Sequence, residues 1–212
     1  MKKVLVLISG SGTNLQAIID AVQQGKLPDT VVTQVVSSSP SAYGLTRAKN
    51  ADIATYVHDL HGTYYAGIPK EDKASRKTAR ETFNKDLAEY ILRPENRPDL
   101  VVCAGWMLIL SPVFLEPLQD AKVPIINLHP ALPGAFAGIN AIERAWKAGQ
   151  AGEISKAGVM IHNVIAEVDE GEPLVVKELD LRKDESLEDY TERVHALEHE
   201  AIVEGTRIAL GL

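Results

Sequence analysis

Asn127 and His129 stand two positions apart at the end of an apolar run, Ile125-Ile126-Asn127-Leu128-His129-Pro130. Pro124 to Leu128 reads as a short buried strand that ends on the histidine, and Pro130 stops it because a ring nitrogen cannot donate to a ladder. In an open α/β sheet, ligands bind at the C-terminal ends of the strands. A histidine and an amide delivered there together offer a proton donor beside an oxyanion donor. The plain alternative is an asparagine bonded to a neighbouring loop and a histidine that merely closes a strand. Asp169 follows 40 positions later (169 − 129 = 40), in a turn beside a glycine. A carboxylate that meets an imidazole favours the imidazolium and raises its pKa. Taken alone, Asp169 reads more readily as an ordinary turn aspartate, since spacing does not show that the two meet.

A second chemistry is carried by Ser9-Gly10-Ser11-Gly12-Thr13-Asn14, directly after the apolar run Val4 to Ile8 and directly before a helical stripe of Leu15, Ile18, Ile19 and Val22. Strand, glycine-rich turn and helix form the geometry in which backbone N–H groups and a helix N-terminus cradle a phosphate. The loop departs from the dinucleotide motif, because Leu15 occupies the third glycine position and Ser37-Ser38-Ser39 replace a ribose-binding acid. It also lacks the G-K-[ST] of a P-loop. A small phosphate monoester suits it better than a dinucleotide, against the alternative of a tight turn with no ligand.

His195-Ala196-Leu197-Glu198-His199 matches H-x-x-E-H, a zinc-protease signature that puts two potential ligands on one helix face. The third ligand is the weakness of this reading. Only Glu200 and Glu204 follow, on the same helix instead of across a cleft. A zinc-dependent hydrolase is therefore the rival enzyme class. A non-catalytic module that binds a phosphorylated metabolite is the other alternative.

The elements that must position these residues alternate. Val31 to Val36 reads as a second strand, Tyr43 to Asn50 as a short helix and Ile53 to Val57 as a third strand. Asp59 to Arg80 is polar and lysine-rich, a surface loop or lid, and Arg80 leads into a helix through Phe83, Leu87, Tyr90 and Ile91. Leu100 to Gly105 is a fourth strand, with Cys103 a packed apolar residue within it. The apolar stretch Trp106 to Pro112 stands at that strand's end, where it is core or the wall of a pocket for a flat aromatic ligand. Ala131 to Gly138 is a loop and Ala141 to Ala148 a helix. Val159 to Val168 and Leu174 to Leu181 lack a helix between them and so pair antiparallel at the sheet's edge. Ser186-Leu187-Glu188-Asp189 resembles a capping box. It opens a final helix striped by Leu187, Tyr190, Val194, Leu197 and Ala201.

Composition narrows the partners. The 212 residues, 45% hydrophobic and 24% charged, fit a globular chain able to bury a sizeable core. A formal charge of -7 argues against a nucleic-acid binder, and the first apolar run is too short for a signal peptide or membrane span. One cysteine excludes an internal disulfide framework and fits a reducing, cytoplasmic setting. Small-molecule partners are expected, with no nucleic acid and no membrane, and the sequence sets no oligomeric state.

Three motifs occur in one order: Ser9 to Gln16, Asn127-Leu128-His129-Pro130, and Gly158 to Gly171. Together they resemble the phosphoribosylglycinamide formyltransferases, folate-dependent transformylases of purine synthesis, nearly end to end. Ala131-Leu132-Pro133-Gly134 and the ending Glu198 to Glu204 look most like the fungal branch. The resemblance implies a Rossmann-like open, mostly parallel sheet with helices on both faces and an antiparallel edge hairpin near the C-terminus. It implies one formyltransferase domain over 1–212, with a phosphate-binding half (1–105) and a folate-binding, catalytic half (106–212). The implied reaction moves a formyl group from 10-formyltetrahydrofolate to the amine of 5'-phosphoribosylglycinamide, without metal or NAD. Asn127, His129 and Asp169 would be catalytic, and Gly12, Thr13 and Asn14 would hold the phosphate. His195 and Glu198 would contact the glycinamide part. Arg80, Met107, Leu108, Ile109, Leu110, Ile165, Ala166, Glu167 and Val168 would line the folate site.

Some positions depart from the family pattern. The usual Ser-Leu-Leu-Pro after the histidine is shortened to Ala131-Leu132-Pro133, a later histidine is replaced around Ile139-Asn140, and Asn163 stands where an apolar residue is usual. The related methionyl-tRNA enzyme and formyltetrahydrofolate hydrolase each need an added domain, for which this length leaves no room.

Overall fold

The structure, a computed structural model, describes every residue from Met1 to Leu212. Seven strands form one sheet: β1 (Lys2–Ile8), β2 (Thr30–Ser37), β3 (Ala54–Val57), β4 (Leu100–Cys103), β5 (Ile125–His129), β6 (Lys156–Asn163) and β7 (Pro173–Asp180), in the order β3-β2-β1-β4-β5-β6-β7. The first five run parallel, while β6 pairs antiparallel with both β5 and β7. The strand order reverses between β1 and β4. The C-terminal ends of β1, β4 and β5 therefore border the crevice where such sheets hold ligands.

Six α-helices cover the two faces: α1 (Thr13–Gln23), α2 (Gly44–Asn50), α3 (Lys73–Leu92), α4 (Pro112–Asp120), α5 (Ala141–Gln150) and α6 (Leu187–Leu210), and a short π-helix (Leu60–Tyr64) interrupts the stretch expected to be a loop. The period of two along a strand sorts the core. Val4, Val6 and Ile8 pack with Leu15 and Ile18 of α1 and Val194 and Ile202 of α6. Leu5 and Leu7 point the other way, to Phe83 and Leu87 of α3 and Phe114 and Leu118 of α4. Burial on both faces is why β1 and β4 read as unbroken apolar runs. No helix is long and apolar enough to cross a membrane.

Three boundaries differ from expectation, each for a physical reason. Helix α3 starts at Lys73 and not at Arg80, capped by Asp72, whose carboxylate accepts from the Ser75 N–H at 3.0 Å. Its opening turns are solvent-exposed, so no apolar period announces them. Helix α4 was not anticipated, although Ser111-Pro112 is a start signal, with proline at the first helical position. Strand β6 ends at Asn163 instead of running on to Val168. Residues 164–172 leave the sheet and fold back, clasped where the Asn163 N–H donates to the Glu172 carbonyl at 3.0 Å. That return carries Asp169.

Candidate active site

Strand β5 delivers Asn127 and His129 on one face, because residues two apart share a face. β4 flanks it on one side, with Cys103 opposite Asn127, and β6 on the other, with His162 opposite Asn127. His129 is only 4% exposed. The folded-back loop brings Asp169, in a left-handed conformation (φ 58°), against it. Asp169 Oδ2 lies 3.3 Å from His129 Nδ1 and accepts from the Gly138 N–H at 2.9 Å. Its other oxygen, Oδ1, is 3.5 Å from both Asn127 Nδ2 and His162 Nε2. The trio expected from sequence therefore meets.

His162 is a fourth member that the sequence reading missed. Its Nδ1 sits 2.9 Å from the Asn163 carbonyl, and its Nε2 lies 3.1 Å from Asn127 Nδ2 and 3.5 Å from Asp169 Oδ1. The signal available was strand pairing: once β6 is antiparallel to β5, some residue must stand beside Asn127. The amide's second hydrogen has only the long 3.5 Å contact to Asp169, so it is the one available to another acceptor.

The electrostatics divide unevenly. Burial opposes the charge of Asp169. The His162 ring, the Gly138 N–H and the His129 ring outweigh it and hold the carboxyl below its ordinary range. For His129 the balance reverses. Burial pulls its pKa below 6.5, against the upward pulls of Asp169 and the Phe136 carbonyl. The expected upward pull of Asp169 is present, and burial outweighs it. His129 Nε2 lies 3.1 Å from the Phe136 carbonyl, in a loop where Phe136 itself takes a left-handed φ of 49°. Both ring nitrogens thus face acceptors, a pattern that only the imidazolium satisfies fully.

The phosphate loop and the last helix also meet. Gly12 has φ 74°, and a Cβ there would lie 2.6 Å from the Gly44 Cα, so glycine is required both by conformation and by the close approach of α2. Helix α1 begins at Thr13 with no side-chain cap and no acidic residue in its first turn, which leaves a positive helix end. Asn14 Nδ2 donates to Glu198 Oε2 at 3.2 Å, joining α1 to α6. Glu198 is 5% exposed, and burial raises its pKa against the Asn14 hydrogen bond and the charge of His195. His195 is exposed at the rim. The zinc-like pattern therefore splits, with its carboxylate bonded to Asn14.

The segment expected to wall an aromatic ligand is only partly assembled. A groove of about 590 Å³ runs between α4 and residues 163–166, lined by Leu115, Ile125, Val164, Ile165 and Ala166 among others. Ile165 and Ala166 were expected there. Leu115, Ile125 and Val164 were missed, because α4 was unrecognised and 164 was assigned to a strand. Met107 (69% exposed) and Ile109 (57% exposed) face solvent, Leu108 is half-buried and Leu110 is buried. Glu167 and Val168 are exposed. Arg80 lies away from this groove, its Nε donating to the Tyr65 hydroxyl at 3.1 Å. One hydroxyl ties the two sides together: Ser9 Oγ accepts from the Met107 N–H at 2.9 Å.

A Rossmann-like sheet with an amide, an imidazole and a carboxylate gathered at one strand end defines a class, and the family model described as "Formyl transferase" matches residues 2–206. The chain belongs to that family and is a formyl-transferring enzyme. Among curated relatives, the phosphoribosylglycinamide formyltransferase of Saccharomyces cerevisiae is 54% identical over 210 residues, covering 97% of this chain and 96% of that one. The protein of the same name from Schizosaccharomyces pombe is 49% identical over 201 residues, covering 94% and 93%. Among solved structures, glycinamide ribonucleotide transformylase 1 from Geobacillus kaustophilus superposes with a TM-score of 0.82 at 30% identity, covering all of both chains.

Proposed function

We propose that this formyltransferase moves a formyl group from 10-formyltetrahydrofolate to the primary amine of 5'-phosphoribosylglycinamide in purine biosynthesis. The products are N-formylglycinamide ribonucleotide and tetrahydrofolate. The observation that carries the catalytic reading is the meeting of Asn127, His129 and Asp169 within 3.5 Å at the end of β5. The amine nitrogen attacks the formyl carbon and a tetrahedral oxyanion forms. Asn127 donates to that oxygen, and the imidazolium of His129 does so through Nε2 once that hydrogen leaves the Phe136 carbonyl, each such donor being worth roughly 3–4 kcal/mol. The carbon–nitrogen bond to the folate then breaks, and the proton lost by the amine passes to the departing folate nitrogen. Asp169, held ionised, supports the charged histidine and relays that proton through water. Glu198 accepts from the substrate amine, and Gly12, Thr13 and Asn14 hold the phosphate.

The groove offers the apolar side chains of Leu115, Val164 and Ile165 beside the polar Glu116, Gln119 and Asn163, a mixture that suits a pterin ring. Cys103 takes no part, because burial pushes its thiol up to about 12. A single buried, unpaired cysteine supports a reducing, cytoplasmic compartment.

The experiment is formyl transfer to synthetic glycinamide ribonucleotide in metal-free buffer, followed by the absorbance change as the folate loses its formyl group. One formyl transferred per folate consumed is the expected result, unaffected by a chelator. Tightly bound zinc whose removal abolishes activity, and whose return restores it, would overturn this reading.

A further inference from the structure

Arg47 is the one cation fixed against the phosphate loop, and the mechanism above gives it no task. It reaches from α2 to the loop, where its Nε donates to the Ser11 carbonyl at 2.8 Å and its Nη1 lies 3.5 Å from Gln16 Oε1. The guanidinium also stacks over Tyr43, 5.1 Å from the ring centroid. A Cβ built on Gly12 would sit 3.4 Å from Arg47 Cδ, so the side chain runs along the loop's left-handed turn. None of the molecule's ion pairs includes it. The rest of its five-donor fork has no protein acceptor. A half-buried guanidinium held in one geometry without a carboxylate keeps donors free to bind an anion.

A second observation lies across the cleft. His199, on α6, keeps its Nε2 shut off from solvent and without a partner. Arg47, Thr13 and His199 share one end of a groove of about 720 Å³ between α1 and α6. Burial, followed by the charges of His195 and Arg47, holds the His199 pKa below its ordinary value. Arg47 thus stands as a cation beside the uncapped N-terminus of α1, with the unpaired His199 nitrogen across from it, while the groove's lining also carries Asp20, Glu200 and Glu204.

We propose that Arg47 is a side-chain ligand of the substrate phosphate, closing on it from α2 while the backbone N–H groups of the 12–14 loop hold it from beneath. This deepens the ribonucleotide reading above and rests on it. It also assigns Arg47 a selective task, discrimination of the phosphorylated substrate from the free ribonucleoside.

The test compares Arg47→Ala and Arg47→Lys with the wild type on glycinamide ribonucleotide and on the phosphate-free ribonucleoside. Arg47→Ala should raise the KM for the ribonucleotide about thirtyfold while the folate KM moves less than about threefold. Arg47→Lys should recover part of that loss, since a point charge replaces a fork. On the phosphate-free ribonucleoside, wild type and variants should turn over alike. An equal loss on both substrates would overturn the proposal, because it would mark Arg47 as a support for the loop.

Inorganic phosphate provides the arm that does not depend on turnover. Titrated into the wild type by calorimetry, it should bind about tenfold more tightly than to Arg47→Ala. Equal affinity for the two, or no binding to the wild type, would overturn the role of Arg47. Absence of formyl transfer by a wild type that still binds phosphate through Arg47 would instead overturn the reaction assigned above.

Discussion

At the scale of single residues, burial decides how the site's charges behave. Asp169 gathers enough donors to stay ionised while His129, 4% exposed, is pulled toward neutrality. The histidine therefore needs its carboxylate more than an exposed one would. Replacing His129 with alanine, or Asp169 with asparagine, should lower kcat by at least about a hundredfold with the fold retained. Near wild-type turnover in either variant, with native circular dichroism, would remove that residue from the mechanism. His129 was legible because a strand ending in His-Pro is a local pattern. Its meeting with Asp169 was not, since 40 residues separate them (169 − 129 = 40) and only the fold-back of 164–172 joins them. His162 was invisible for a similar reason, as its importance exists only through the register that sets it opposite Asn127.

Among the elements, the clasp between Asn163 and Glu172 determines where Asp169 stands. Gly171 packs so tightly under that clasp that a Cβ would meet the Asn163 carbonyl oxygen at 1.6 Å. No rotation of a flexible side chain relieves a backbone clash, so Gly171→Ala must move the loop. We expect kcat to fall at least about tenfold in this variant while the melting temperature drops by only a few degrees, because the loop lies outside both cores. Unchanged kcat would show that the loop's placement of Asp169 is not needed. The same segment explains a sequence error. Val159 to Val168 is apolar enough to pass for one strand, yet its second half turns away because His162 and Asn163 are tied to this clasp. Strands buried on both faces were easy to read, as were helices with a full apolar stripe. The exposed start of α3 and the short α4 were not, because caps and not periodicity define them.

For the molecule as a whole, three histidines, two buried and one half-buried, set the response to acid. His58, His129 and His199 each have a pKa held below 6.5 by burial. The unfolded chain therefore binds more protons than the folded one as pH falls past 6.5. The stability they contribute is present above that value and is lost as pH drops through their folded values. Glu198 acts with the opposite sign, since its raised pKa lifts a penalty as it becomes protonated, but it is one group against three. Asp169 adds its own loss only below its ordinary 3.8. Calorimetric melting temperatures should therefore fall between about pH 7 and pH 5, by roughly 2–4 °C for each kcal/mol lost. A flat or rising profile would contradict this balance. His58 is far from the trio in sequence and bonded to the Phe83 carbonyl at 2.9 Å, so His58→Gln should flatten part of the slope.

One bond described above has a meaning for how such a molecule is made. Asn14 and Glu198 are 184 residues apart in the chain, yet they share one buried hydrogen bond. During synthesis the N-terminal end emerges first, and α1 can settle on β1 and β2 long before its partner exists. Its polar asparagine stays wet until nearly the whole polypeptide has left the ribosome. Closing so long a loop costs only slightly more entropy than closing a shorter one, so the delay is one of order and not of thermodynamics. The substrate cleft is thus the last part of the protein to be completed, and a nascent chain halted before α6 carries a phosphate loop with no opposite wall.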